Sequence, residues 1–115
     1  MDVKRFYSKI NGSYQSALSI MMNDILIARM LTKFMENNVY KDIIAAYEAK
    51  NYRELFSLTH TFKGVTGNLA LTPLYELSSY LTEATRNSDN VNLDKEIADL
   101  TEKYNLVVKS YKECQ

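Results

Sequence analysis

Histidine occurs once in this chain, at position 60, within His60-Thr61-Phe62-Lys63-Gly64-Val65-Thr66-Gly67-Asn68. Two of the three glycines fall in the same nine residues. On a helix, Lys63, Gly64 and Gly67 lie three, four and seven positions beyond the histidine, so all three share its face. Arg53 and Ser57 carry that face back toward the N-terminal end. Imidazole titrates at about pH 6.5, is largely uncharged at neutral pH, and can attack an activated phosphoryl group to give phosphohistidine. An ammonium group one turn away attracts the phosphoryl oxygens as they arrive. A glycine inside a helix costs about 1 kcal/mol relative to alanine. Two on an exposed face gain nothing in packing within the chain, so their use is steric: bare backbone lets another protein come close to the ring. The spacing by itself leaves an inert surface histidine open as the alternative.

The rest of the chemistry is missing from the sequence. No Gly-x-x-x-x-Gly-Lys-Ser/Thr loop is present to hold a nucleotide, and no acidic cluster to hold Mg²⁺. No second titratable residue is placed to act with His60 as an acid–base pair. These omissions suit a carrier of phosphoryl groups, whose metal and catalytic carboxylates belong to a partner, better than an enzyme with its own substrate pocket.

A helix must hold this face outward. Over residues 52–69, Tyr52, Leu55, Phe56, Thr59, Phe62, Thr66 and Leu69 recur at helical spacing and form the buried side, opposite Arg53, Ser57, His60, Lys63, Gly64 and Gly67. Periodicity predicts helices elsewhere too. Val3, Phe6, Tyr7 and Ile10 mark a short one ending near Asn11-Gly12-Ser13, and residues 14–21 a second. Ile27, Leu31 and Phe34 mark a third, and Tyr40, Ile43, Ile44 and Tyr47 a fourth stripe out of phase with it; either two helices meet with a break at Asn37-Asn38, or one long helix over residues 24–50 is distorted there. Thr72 reads as an N-cap before Pro73, with Leu74, Leu77, Leu81 and Ala84 on the buried face that follows. Residues 92–112 carry Leu93, Ile97, Leu100, Tyr104, Val107 and Tyr111 at alternating spacings of four and three, a bundle seam. The expected fold is all-α: one domain over residues 1–115, an antiparallel four-helix bundle with one or two additional short helices at its N-terminal end.

Composition narrows the function. Of 115 residues, 14 are Lys or Arg and 14 are Asp or Glu, so the formal charge is zero and the broad cationic face of a nonspecific nucleic-acid binder is not expected. No run of eighteen apolar residues suggests a membrane span, and no signal-peptide core opens the sequence. Cys114, the one cysteine, rules out an intrachain disulfide and reads as an incidental exposed thiol. A cytoplasmic setting follows as the expectation.

The stretch Thr59-His60-Thr61-Phe62-Lys63-Gly64-Val65-Thr66-Gly67-Asn68-Leu69-Ala70-Leu71 resembles the signature of histidine phosphotransfer (HPt) domains of two-component signalling, roughly His-x-[Leu/Phe]-Lys-Gly followed by small residues. The likeness extends over about residues 20–112. It implies that His60 is the phosphoacceptor through Nε2, that Lys63 supports the phosphoryl group, and that Gly64 and Gly67 let a receiver domain dock. It also implies that Thr82 on the following helix is a polar neighbour of the imidazole, a solvent-facing threonine being the plainer alternative. The implied partners are response-regulator receiver domains and a hybrid sensor histidine kinase. The implied protein is a monomer that binds no cofactor of its own, Mg²⁺ residing in the partner receiver. Two positions depart from the pattern. Ala70 stands where glycine is common, a change expected to matter little, and Val65 stands where serine or alanine is usual. The resemblance leaves two other readings: a chemotaxis-kinase-type phosphoacceptor loaded by a kinase domain, and a non-catalytic interaction module that keeps the fold.

Overall fold

Four helices begin on a side-chain oxygen that accepts the backbone N–H three residues on, satisfying one of the free donors at a helix start. Asp2 starts α1 (Val3–Ile10), Ser13 starts α2 (Tyr14–Met21), Asn23 starts α3 (Asp24–Glu36) and Asn51 starts α5 (Tyr52–Asn68). Between α3 and α5 lies α4 (Val39–Glu48), and α6 (Thr72–Thr85) and α7 (Asp94–Glu113) complete the chain. This is a computed structural model describing residues 1–115; it is all-α, with no strand. No helix is long and apolar enough to cross a membrane.

The break at Asn37-Asn38 is real. Asn37 leaves the helix with extended backbone, and its Oδ1 accepts the Val39 N–H at 2.6 Å, ending α3 and starting α4. Both helices then run along α7 in the opposite direction to it. Thr32 meets Tyr111 through their hydroxyls at 2.6 Å, Tyr40 donates to Thr101 at 2.7 Å, and Tyr47 bonds Asp94. The Tyr40 and Tyr104 rings stack with centroids 4.0 Å apart. The tyrosines of these stripes thus join helix to helix at the boundary of the core.

Helix α5 packs on α4 and α6, and α6 on α7. On α5 and α6 small hydroxyl residues take some of the buried positions: Thr59, Thr66, Ser78, Thr82 and Thr85 are all buried. Each hydroxyl donates to the carbonyl four residues back in its own helix, so the polar atoms are satisfied without help from the neighbouring helix. Phe62 anchors α5 from inside, fully buried and stacked on Phe34 with centroids 5.7 Å apart. That anchoring fixes which side of α5 faces out.

Three expectations are corrected. Cys114 is buried, because the C-terminal end of α7 lies against α1: the Asp2 N–H donates to the Cys114 carbonyl at 2.7 Å. Thr72 is the first residue of α6 rather than its cap; the capping position falls on Leu71, with no side-chain bond. Ala70 is not a neutral replacement for glycine. Its φ of 53° is left-handed, the backbone that the turn between α5 and α6 demands and that a Cβ disfavours.

Candidate functional site

Helix α5 presents the face drawn from its sequence with one correction: Phe56, expected on the buried side, is half-buried and lies against His60. Tyr52, Leu55, Thr59, Phe62, Thr66 and Leu69 are buried, while Arg53, Ser57, His60 and Gly64 are exposed. His60 therefore stands out from the helix packing. Its ring meets Phe56, one turn back, edge to face with centroids 6.1 Å apart. A Cβ added at Gly64 would meet nothing within 4 Å, so the backbone one turn beyond the imidazole is uncovered.

Gly67 does not continue that bare patch. A Cβ there would come within 3.0 Å and 3.1 Å of the Tyr75 ring, so this glycine lets α6 lie close to α5. Lys63 is half-buried on the same side. The two glycines, alike in sequence, have different uses: Gly64 leaves a surface bare and Gly67 accommodates a neighbour.

Thr82 is corrected in the same way. With 1 % of its surface exposed and its hydroxyl donating to the Ser78 carbonyl at 2.7 Å, it neither faces solvent nor has a free donor for the imidazole. The pairs Gly67–Tyr75 and Phe56–Arg86 set the antiparallel register of α5 and α6, and that register does put Thr82 level with His60. Its side chain, however, is buried and bonded within its own helix.

Two participants were not read from the sequence. The Arg86 guanidinium lies over the Phe56 ring at 5.0 Å. Two hydrogen bonds of 3.2 Å and 3.0 Å tie it to the Glu83 carboxylate. These bonds from Arg86, and then its charge, hold the Glu83 carboxyl below the usual carboxylate range, and the charge of Lys63 lowers it further. The helical periods of residues 52–69 and 72–84 carried part of this signal, since two helices joined so closely pack antiparallel; that position 56 meets position 86 comes from the structure.

On the other side of Gly64 the surface is more apolar. Val65 shares a pocket of about 220 Å³ with Met21, Met30, Phe34 and Leu69, with Lys33, Asn37 and Asn68 on the same wall. Ile20, Met22 and Ile25, at the corner of α2 and α3, are 50 %, 77 % and 74 % exposed. The exposed imidazole therefore lies on α5 between a charged end, at Phe56 and Arg86, and an apolar end, at Val65. Nowhere are three or more His, Cys, Asp or Glu side chains gathered closely enough to hold a metal ion.

Set beside protein-family models, curated proteins and solved structures, this chain matches none of them.

Proposed function

We propose that this chain is a histidine phosphotransfer protein that carries a phosphoryl group on His60 between receiver domains. The observation that supports it most is the pairing of an outward imidazole with open backbone at Gly64 one turn away. In the proposed step the Nε2 lone pair forms a P–N bond as the P–O bond to a receiver's aspartyl carboxylate breaks, the electron pair leaving with that carboxylate. Lys63 draws the phosphoryl oxygens toward α5. Mg²⁺ and the acidic side chains belong to the receiver. The return reaction delivers the group to a second receiver, a hybrid sensor kinase supplying the first.

In this reading α3 with α4, α5, α6 and α7 are the four rods of an antiparallel bundle, and α1 and α2 are the additional helices at its N-terminal end. The receiver covers His60 and Gly64 and rests on the apolar pocket at Val65, where a shape-matched contact excludes water from the reacting atoms. The apolar patch at Ile20, Met22 and Ile25 favours a macromolecular partner over a small substrate. Arg53 and Ser57 lie on the same face toward the other end.

His60→Gln tests this directly. The substitution lies on the exposed face of α5 and leaves the core untouched, so the variant folds. It is expected to take no label from a phosphorylated receiver that labels the wild type; equal labelling removes His60 from the mechanism.

A further inference from the structure

An open cleft of about 770 Å³ lies at the end of α5 nearest Phe56, where α4 ends and α6 ends. Its walls carry Lys50, Arg53 and Arg86 and a single carboxylate, Asp89. In a chain with equal numbers of acidic and basic residues this is a local concentration of positive charge. Arg86 is paired with Glu83, but no carboxylate lies within 4.0 Å of Lys50 or Arg53. Two cations are therefore free to meet an external anion.

The cleft is joined to the imidazole. Phe56 forms part of its wall and also meets His60 edge to face. Arg53 precedes His60 by seven residues, roughly 10 Å along a helix, well within the span of one protein–protein contact. A protein seated over His60 and Gly64 has its edge over this cleft.

We propose that the cleft is the charged rim of the docking surface and receives a carboxylate-bearing segment of the receiver domain that exchanges phosphoryl with His60. Lys50 and Arg53 then select among receivers by charge, chiefly through the rate of productive encounter. This rests on the phosphocarrier reading and adds to it the feature by which one receiver is preferred to another. Complementary charge suits such a rim: exposed cations contribute little to the stability of the fold, yet they steer a partner over distances up to about a Debye length, roughly 10 Å at 0.1 M salt.

The test compares wild type with Lys50→Asn/Arg53→Glu; asparagine suits the left-handed backbone of Lys50, whose φ is 56°. Lys109→Asn/Lys112→Glu, on exposed positions of α7, makes the same change in net charge away from the cleft. Thermal unfolding checks that all three fold, and Arg53→Gln is a milder second variant. Each protein is labelled with phosphoramidate, which needs no docking, and by a panel of purified receiver domains carrying aspartyl phosphate. The readout is the receiver-driven rate divided by the phosphoramidate rate. The expected result is a drop of roughly tenfold for the cleft variant at about 50 mM salt, a smaller drop for Arg53→Gln, none for the α7 control, and a gap that narrows at about 500 mM salt. Equal ratios for wild type and cleft variant overturn the proposal. So does an equal loss in the α7 control, or phosphoramidate labelling of a wild type that no receiver can label. A wild type that phosphoramidate itself leaves unlabelled sinks the phosphocarrier reading instead, which separates the two failures.

Discussion

A methyl group added at Gly64 should make the protein more stable and a worse phosphocarrier. Gly64 lies inside α5 with ordinary helical backbone, since no glycine in the chain has a positive φ. The new Cβ meets nothing within 4 Å, so no packing strain opposes it. Gly64→Ala therefore recovers the full difference in helix propensity, about 1 kcal/mol. For a chain of 115 residues that raises Tm by roughly 4 to 6 °C. The same methyl stands where the receiver must press. Overfilling a close-packed contact costs about 1 to 3 kcal/mol, or roughly a 5- to 150-fold loss in receiver-driven labelling. Gly64→Gln should lose more. Differential scanning calorimetry reads the first effect, and phosphotransfer relative to phosphoramidate labelling reads the second. A stabilised variant that takes phosphoryl from receivers at the wild-type rate would show that the open backbone is not a docking surface. A destabilised variant would show that position 64 is not free space.

Gly12 offers the opposite case: a Cβ there would lie 2.8 Å from the Ala70 carbonyl oxygen and 2.8 Å from the Tyr7 ring, so Gly12→Ala should lower stability by roughly 1 to 3 kcal/mol, and an unchanged denaturation midpoint would contradict this. Glu83 should titrate below an ordinary glutamate, and Arg86→Gln should return it toward the usual range, read by side-chain carboxyl NMR; a titration that ignores the substitution would refute the pairing. The sign of the linkage follows. A depressed carboxyl pKa contributes stability above the unfolded value near 4.5, and that contribution is lost as pH falls through the folded value.

The outward placement of His60 was legible because one helix decides it. Thr59, Phe62 and Thr66 share the opposite face, so their burial turns the imidazole out, and no distant residue is needed to know this. The irregularity at Asn37-Asn38 was legible for a similar reason, as two apolar stripes out of phase cannot belong to one straight helix; that the chain breaks there rather than bends is decided by the Asn37 backbone. What escaped depends on contacts between helices. Gly67 and Gly64 look equivalent until Tyr75 is brought onto Gly67 by the turn at 69–71. Thr82 is level with His60, but its hydroxyl is satisfied by its own helix, which spacing along α6 does not reveal. Cys114 is buried because a chain end meets α1 more than a hundred residues away. The cluster of Phe56, Arg86 and Glu83 needs both the antiparallel pairing of α5 with α6 and the last turn of α6, and only the first of these is written in a periodic pattern.

The central claim is that the exposed imidazole of His60 becomes phosphorylated and passes the group on. Incubation with a receiver carrying labelled aspartyl phosphate, followed by fragment mass spectrometry and by exposure of the labelled chain to acid and to base, tests it most directly. The account predicts one phosphoryl group, on His60, lost in acid, kept in base, and discharged by a second, unlabelled receiver. Phosphate found on another residue, or a wild-type chain that stays unlabelled by receivers and phosphoramidate alike, would contradict it.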